Sequence, residues 1–320
     1  MTEQHRADGS LRHLLTLEGL SREQIETLLE RSQHYARALG TPPPRENALA
    51  GVTVANLFTE PSTRTRVSFE LAAKRLGAEV VNLEVQLSSR AKGESMLDTV
   101  FTLESLHVDV FVIRDAEAGV PALVARHVAP HVSVLSAGEA HLSHPTQGLL
   151  DALTVLQHKR RFDGLAVAIV GDIRHSRVAR SAARAMSILG VRELRIVAPP
   201  ALMPDAGEFA GCERFTRLEE GVRDVDVVMM LRIQRERFAD ADVPAGDDYF
   251  REYGLTPARL ALAKPDAIVM HPQPMNRGVE IASEVADGPQ SVIRRQVSNG
   301  VAVRMAVLET IVSGRRNGSR

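Results

Sequence analysis

A strand, a loop and the start of a helix follow one another in residues 51–66, which read Gly-Val-Thr-Val-Ala-Asn-Leu-Phe-Thr-Glu-Pro-Ser-Thr-Arg-Thr-Arg. The apolar, β-branched run 51–58 predicts a buried strand, and Thr59-Glu60-Pro61 ends it. Apolar residues then recur at helical spacing from Val67 to Gly77, which predicts a helix near 66–76. A strand followed by a helix is the repeating unit of an α/β fold.

The polar run Ser62-Thr63-Arg64-Thr65-Arg66 lies at the N-terminus of this predicted helix. Backbone N–H groups without partners and the positive end of the helix dipole favour an anion there. Hydroxyl groups add neutral donors, and a guanidinium matches the geometry of a phosphate. An ordinary helix cap followed by two solvated arginines is the alternative. Three hydroxyls and two arginines in five positions favour a phosphate site.

The overall charge of the chain is close to zero. Lys and Arg number 39 against 40 Asp and Glu in 320 residues, so the sequence predicts neither a nucleic-acid nor a membrane partner. A single cysteine, Cys212, excludes an intrachain disulfide framework and argues against a metal site. The N-terminus is polar and no apolar run is long enough to span a bilayer, so we expect a cytoplasmic protein.

Strands and helices alternate in both halves of the chain, which predicts an α/β protein with two doubly wound parallel-sheet domains flanking a cleft. The predicted strands of the first half are 51–58, 79–83, 108–113 and 131–135, and those of the second half are 165–172, 194–197, 225–230 and 267–270. Between the halves, His144-Pro145-Thr146-Gln147 opens a predicted helix that runs to about His158.

Further polar residues follow the predicted strands, at the edge where open α/β sheets bind ligands. Each of them has an alternative interpretation as a surface side chain, a cap or a solvated loop. The set comprises Arg114, His144 and Gln147 in the first half, the stretch Ser88–Ser95, and Arg177, Arg232, Gln234 and His271-Pro272-Gln273-Pro274 in the second half. The prolines of the last motif hold an irregular backbone that can present a carbonyl to a ligand. Neither G-x-G-x-x-G nor G-x-x-x-x-G-K-[ST] occurs after the strongest strand, so no nucleotide cofactor is expected.

These motifs in this order resemble the aspartate/ornithine transcarbamoylase family, and within it the catalytic chains that use aspartate. The resemblance rests on Phe58–Arg66, Lys92-Gly93-Glu94, Arg114, His144–Gln147, Arg177, Arg232–Gln234 and His271–Pro274, and it extends from about residue 10 to 312. It implies a carbamoyl phosphate-binding domain of residues 1–145 and 295–320, to which the C-terminal helix returns, and an aspartate-binding domain of residues 146–294.

The resemblance also implies a role for each matched residue. Arg64, Thr65, Arg114 and His144 would be catalytic, and carbamoyl phosphate would be bound by Ser62, Thr63, Arg64, Thr65, Arg114, His144, Gln147, Gln273 and Pro274. Aspartate would be bound by Lys92, Arg177, Arg232 and Gln234. Ser88 and Lys92 would come from a neighbouring subunit, which implies a homotrimer. No cofactor or metal is implied.

The implied reaction transfers the carbamoyl group of carbamoyl phosphate to L-aspartate in pyrimidine synthesis. Ornithine enzymes of the family carry His-Cys-Leu-Pro and Ser-Met-Gly elements, whereas this chain has His-Pro-Gln-Pro and lacks Ser-Met-Gly. Arg177, Arg232 and Lys92 supply cations that suit two carboxylates and repel an ornithine side chain. A transcarbamoylase for ornithine or another amine, or a non-catalytic structural subunit, is the alternative. The resemblance leaves open whether regulatory or dihydroorotase chains associate with this one.

Overall fold

Two parallel β-sheets organise the protein in a computed structural model that describes residues 3–84, 95–234 and 246–318. Contacts divide the chain into two compact units, which we call unit 1 (Met1–Leu150 and Ser298–Arg320) and unit 2 (Asp151–Val297). The prediction of an α/β fold with two parallel-sheet domains is confirmed. The predicted changes of domain at residues 145 and 295 lie a few residues before the divisions between the units.

Unit 1 contains a four-stranded sheet with the strand order β2-β1-β3-β4. Its strands are β1 (Thr53–Phe58), β2 (Glu79–Glu84), β3 (Val110–Asp115) and β4 (Ser133–Glu139). Its helices are α1 (Arg22–Tyr35), α2 (Thr63–Arg75), α3 (Met96–Ser105), α4 (Val120–His127) and the start of α5 (Pro145–Lys159). The central strands β1 and β3 read as continuous apolar runs because both faces of the sheet are covered. Leu57, Phe111 and Ile113 are fully buried there, and each stabilises the fold by about 1.5–3 kcal/mol.

Helix α2 begins earlier than the sequence predicts. The apolar spacing starts at Val67, but the helix starts at Thr63 after the N-cap residue Ser62. The first turn is polar and partly exposed, so hydrophobic periodicity gives no signal for it, although it is helical. The polar run Ser62–Arg66 therefore forms the N-cap and the first turn of α2 and is not a loop before the helix.

The C-terminal helix α11 (Ile293–Gly318) returns to unit 1, as predicted. The guanidinium of Arg304 lies 4.8 Å from the ring centroid of Phe69 in α2. Near the end of the helix, Arg6 donates to the carbonyl of Ile311 at 3.0 Å, and the hydroxyl of Tyr35 donates to Glu309 at 2.9 Å. These contacts fasten the end of the chain to its beginning.

Arg6 belongs to an N-terminal strap, residues 3–17, that covers the outer edge of β4. Leu14 bridges to Leu135 in parallel, and Leu14 N donates to the carbonyl of Val134 at 3.0 Å. His13, which is fully buried, accepts a hydrogen bond from Val134 N at its Nδ1 (2.9 Å). The strap therefore occupies hydrogen-bonding groups that an uncovered sheet edge would expose.

Unit 2 contains a five-stranded parallel sheet with the order β7-β6-β5-β8-β9. Its strands are β5 (Ala166–Val170), β6 (Glu193–Val197), β7 (Cys212–Phe215), β8 (Val227–Met230) and β9 (Ile268–Met270). Its helices are the remainder of α5, α6 (Arg177–Ile188), α7 (Leu218–Gly221), α8 (Gly246–Tyr253), α9 (Pro257–Leu260), α10 (Ser283–Ala286) and the start of α11. The sequence did not predict β7. This edge strand, Cys-Glu-Arg-Phe, contains no buried residue, so it lacks the apolar run by which the other strands were found.

Each sheet has a switch point. This is a pair of neighbouring strands from which the chain connections lead in opposite directions across the sheet. It falls between β1 and β3 in unit 1 and between β5 and β8 in unit 2. Open α/β sheets bind their ligands at the carboxyl ends of the strands beside such points. No helix among the described residues is long and apolar enough to cross a membrane.

Candidate active site

The switch point of unit 1 carries the residues with phosphate-binding chemistry. The run Ser62–Thr65 follows β1, and Arg114 lies near the carboxyl end of β3, which pairs with β1 in parallel. The ends of the two strands are joined because Thr59 donates to the carbonyl of Arg114 from its backbone N–H (3.0 Å) and its hydroxyl (3.2 Å). The topology therefore places a basic side chain and a helix N-terminus at one edge of one sheet.

The first turn of α2 is suited to an anion. Ser62 is the N-cap residue, yet its side chain makes no capping hydrogen bond to the helix. Thr65 is buried, whereas Thr63 and Arg64 are exposed at the helix end. The first N–H groups of a helix have no acceptor within the helix itself, so a phosphate oxygen is a suitable partner for them.

Arg114 is held from two sides. Its Nη2 lies 3.0 Å from Glu60 Oε2, and its Nη1 donates to the carbonyl of Ala137 at 3.3 Å. Both ends of the ion pair are mostly shielded from solvent, with side-chain exposures of 12% for Arg114 and 23% for Glu60. A guanidinium fixed in this way presents its donors in a defined direction, which phosphate or carbonyl recognition requires.

His144 and Gln147 lie beyond β4, the neighbour of β3 in the sheet. His144 immediately precedes α5, and Gln147 lies in its first turn with its N–H donating to the carbonyl of His144 at 2.9 Å. Both side chains are buried. Within unit 1, the predicted residues Ser62, Thr63, Arg64, Thr65, Arg114, His144 and Gln147 therefore follow or end β1, β3 and β4 at the same edge of the sheet.

The switch point of unit 2 carries two arginines. Arg177 is the first residue of α6, and Arg232 lies two residues after the end of β8. Arg177 is buried although it is charged. The N-cap of α6 is Ser176, whose hydroxyl accepts from Ala179 N at 3.1 Å, so Arg177 has a fixed starting position.

A buried carboxylate joins the segments that carry these arginines. Asp172 is fully buried and lies two residues beyond the end of β5. Its Oδ1 accepts from His175 N (3.1 Å) and lies 2.9 Å from His175 Nδ1, while its Oδ2 accepts from Gln234 N (3.3 Å). The side chain of Gln234 donates back to the carbonyl of His175 at 3.2 Å. The two segments also approach closely at Gly171, whose φ is +128°.

The last sheet strand of unit 2 leads into the His-Pro-Gln-Pro loop. His271 is fully buried, and its Nδ1 accepts from Gln273 N at 2.9 Å. Its Nε2 lies 3.1 Å from Oε1 of the buried Glu280, which also accepts from Asn276 N. Because Nδ1 is an acceptor, Nε2 carries the proton and donates to the carboxylate. The histidine and the glutamate thus shape the backbone at the predicted ligands Gln273 and Pro274.

Tyr249 of α8 is fully buried, and the charges of Glu280 and Asp172 act on its hydroxyl. Burial, followed by the charges of Glu280 and Asp172, raises the pKa of its hydroxyl well above the ordinary value. The hydroxyl therefore stays protonated and has a hydrogen to donate within the interior.

Two predicted residues, Ser88 and Lys92, lie outside the described residues. The sequence prediction gave no role to Glu60, Asp172, His175 and Glu280, which hold the predicted ligands or their loops. Asp172 is the last residue of the strongest predicted strand, and that position at a strand end was the available signal. Glu280 lies nine positions beyond His271, in the segment Asn276–Ile281 that also resembles the family, and the sequence gave no sign that the two side chains meet.

Comparison with known proteins identifies both halves of the chain. Residues 12–157 match the carbamoyl-P binding domain of aspartate/ornithine carbamoyltransferase, and residues 163–311 match its Asp/Orn binding domain. The chain belongs to the aspartate/ornithine carbamoyltransferase family. The predicted family is therefore confirmed, and the protein is a carbamoyltransferase.

Solved structures of both branches of the family resemble the chain. Aspartate transcarbamoylase from Trypanosoma cruzi, in complex with aspartate and phosphate, is 31% identical with a TM-score of 0.81, and the match covers 98% of each chain. Ornithine carbamoyltransferase from Pyrococcus furiosus is 30% identical with a TM-score of 0.81, over 95% of this chain and 97% of the other. Ornithine carbamoyltransferase from Thermus thermophilus is 26% identical with a TM-score of 0.82, over 94% of this chain and 99% of the other. Overall similarity therefore gives the reaction class and does not choose the amino acid.

Proposed function

We propose that the protein transfers the carbamoyl group of carbamoyl phosphate to the α-amine of L-aspartate, giving N-carbamoyl-L-aspartate and phosphate. The observation that carries this choice is the pair Arg177 and Arg232 at the β5–β8 switch point of unit 2. Two guanidinium groups suit a substrate with two carboxylates. An ornithine side chain would bring an ammonium group to the same place and be repelled.

Carbamoyl phosphate would occupy the switch point of unit 1. Its phosphate would accept hydrogen bonds from the N-terminus of α2 and from Ser62, Thr63, Arg64 and Thr65. Arg114, Thr65 and His144 would donate to the carbonyl oxygen. Gln147 and the backbone carbonyls of Gln273 and Pro274 would hold the carbamoyl NH2 group.

The substrate amine is the nucleophile, so no nucleophilic side chain is needed. A bond forms between the amine nitrogen and the carbonyl carbon, and the bond from that carbon to the phosphate oxygen breaks. The departing phosphate can accept the proton that the amine releases. The donors on the carbonyl oxygen stabilise the charge that develops there, and each is typically worth about 3–4 kcal/mol. Catalysis then consists of positioning and charge stabilisation.

The product has the chain of atoms needed to close a six-membered ring by condensation of its ureido nitrogen with its side-chain carboxylate. We therefore assign the reaction to an early step of pyrimidine synthesis. Gln234 would help Arg177 and Arg232 to bind aspartate, and Lys92 would add a further cation.

We propose a homotrimer in which Ser88 and Lys92 enter the site of a neighbour. Exposed apolar side chains of unit 1 support self-association: Val67 and Leu71 of α2 and Val81 of the edge strand β2 are 43%, 42% and 38% exposed. Lys92→Ala and Arg64→Ala variants, each expected to be nearly inactive, should regain activity when mixed under conditions of subunit exchange. If mixed oligomers that contain both variants form and remain inactive, the sites are not shared.

Carbamoyl transfer by the purified protein is the direct test of the proposed function. Carbamoyl phosphate is supplied with either L-aspartate or L-ornithine, and the carbamoylated amino acid is measured. We expect product with aspartate only. Product with ornithine would contradict the assigned role of the arginines, and no product with either would favour a structural subunit.

A further inference from the structure

His175 takes part in the hydrogen-bond network that, together with Asp172, connects the two arginine-bearing segments of unit 2. It contributes a backbone N–H and a ring nitrogen to Asp172, and a backbone carbonyl to Gln234. Its side chain retains 27% exposure, whereas that of Asp172 has none. The imidazole therefore lies between solvent and a buried carboxylate.

The hydrogen-bond chemistry fixes which ring nitrogen carries a proton. A carboxylate oxygen only accepts, so the contact of 2.9 Å requires Nδ1 of His175 to donate. With this bond, Asp172 receives three hydrogen bonds, two from His175 and one from Gln234. Removing a donor from a buried carboxylate costs more than losing an exposed hydrogen bond, because the remaining charge is left less compensated.

The hydrogen-bond network around His175 lies close in the chain to both arginines of unit 2. His175 precedes the N-cap Ser176, and Arg177 begins α6 immediately afterwards. On the other segment, Gln234 lies two residues beyond Arg232. The network is therefore separated from each arginine by a very short stretch of backbone, and a shift of one segment against the other changes the spacing of the two guanidinium groups.

We propose that His175 is a positioning residue for the amino-acid substrate, acting through the donor at Nδ1. The donor keeps Asp172 oriented toward Gln234, and this orientation sets the spacing between Arg177 and Arg232. The role needs a donor at this place and not a positive charge. It rests on the proposed carbamoyl transfer and is independent of which amino acid receives the group.

Two substitutions separate this role from simple packing. His175→Asn keeps an N–H donor attached to Cγ, where Nδ1 of the imidazole stands, whereas His175→Leu keeps comparable bulk without a donor. His158, an exposed histidine of α5 in the same unit, supplies the matched control pair His158→Asn and His158→Leu. For whichever amino acid the wild type carbamoylates, we expect His175→Leu to raise KM at least tenfold and His175→Asn to change it less than threefold. The affinity for inorganic phosphate, which binds in unit 1, should not change.

Hydrogen exchange measured by mass spectrometry provides a readout that needs no activity. We expect amide exchange in a peptide covering residues 231–234 to be at least tenfold faster in His175→Leu than in the wild type, and near the wild-type rate in His175→Asn. A wild type that carbamoylates neither amino acid would overturn the proposed function, and the exchange data would still decide the role of His175.

The proposal is overturned if His175→Leu leaves both KM and exchange unchanged, or if His175→Asn is as impaired as His175→Leu. If His175→Leu does not fold, His175→Gln replaces it, since this variant moves the amide donor one bond farther out. An unchanged KM and unchanged exchange in that variant would overturn the proposal equally.

Discussion

The buried His13 of the strap on β4 should make the free energy of unfolding decrease in acid. The Nδ1 atom of His13 accepts from Val134 N, so a proton at Nδ1 would break this bond and place a charge in the interior. Burial, with smaller contributions from the charges of Arg12 and Arg6, lowers the pKa of His13 to about 3. The unfolded chain has a histidine pKa of about 6.5 and therefore binds one more proton below that pH.

The sign and size of the effect follow from this difference in pKa. Stability is fully present above about pH 6.5 and falls by up to about 1.4 kcal/mol per pH unit as the pH decreases toward the folded pKa. Between pH 6.5 and 4.5 the expected loss is about 2–3 kcal/mol. This interval lies above the folded pKa, so the expected loss there is set mainly by the unfolded value.

His13→Asn tests this reasoning because its side-chain oxygen can accept from Val134 N and cannot be protonated in this range. The chain has no tryptophan, so urea unfolding at pH 4.5, 5.5, 6.5 and 7.5 is followed by far-UV circular dichroism. The wild type should lose about 2–3 kcal/mol of unfolding free energy between pH 6.5 and 4.5 that His13→Asn does not lose. The difference between variant and wild type should therefore shift by this amount in favour of His13→Asn. His107→Asn, at an exposed position of unit 1, is the control and should run parallel to the wild type. A His13→Asn profile that also runs parallel would refute the argument.

Two further predictions concern the switch points. A Cβ at Gly171 would lie 2.5 Å from the carbonyl oxygen of Leu231 at a φ of +128°, so Gly171→Ala should cost about 2–4 kcal/mol in urea unfolding and raise KM for the amino acid. Gly164→Ala, with a φ of +75° and open space, should show only the smaller backbone cost, and an equal loss in both would contradict the role of the close approach. Glu60→Gln should lower kcat about tenfold, because Arg114 loses the charged group that orients it. An unchanged kcat with tighter binding of inorganic phosphate would instead mean that Glu60 only neutralises Arg114.

The amino-acid pattern was sufficient for most of the fold. The buried strands of both sheets read as apolar runs, and the Ser21–Gln24 pattern at the start of helix α1 is a capping box that the structure contains. The sequence failed where burial does not shape composition, as in the polar first turn of α2 and the exposed edge strand β7. Hydrophobic periodicity carries no information about such elements.

The proposed ligands of the candidate site are easier to recognise in the sequence than the residues that hold them. Ser62–Arg66 and Arg114 are polar residues that follow or end a strand, all but Thr65 are exposed or half-buried, and the sequence shows their chemistry directly. The contact between Asp172 and Gln234 joins residues 62 positions apart and exists only because β5 and β8 are neighbours. Its prediction requires the strand order, which alternation of strands and helices alone does not supply.

The return of α11 to unit 1 has a consequence for how the protein is made. Unit 2 is one continuous segment, whereas unit 1 needs residues from both ends of the chain. Val303, Leu308 and Ile311 of α11 are fully buried, and translation delivers them after unit 2. Translation proceeds at about 5–20 residues per second. The interior of unit 1 therefore cannot be completed until all of unit 2 has been synthesised. Ribosome-bound chains that end before residue 298 should therefore be cleaved by protease within residues 1–150 more readily than the 320-residue chain. Until α11 emerges, the first half of the chain exposes apolar surface that a chaperone can bind.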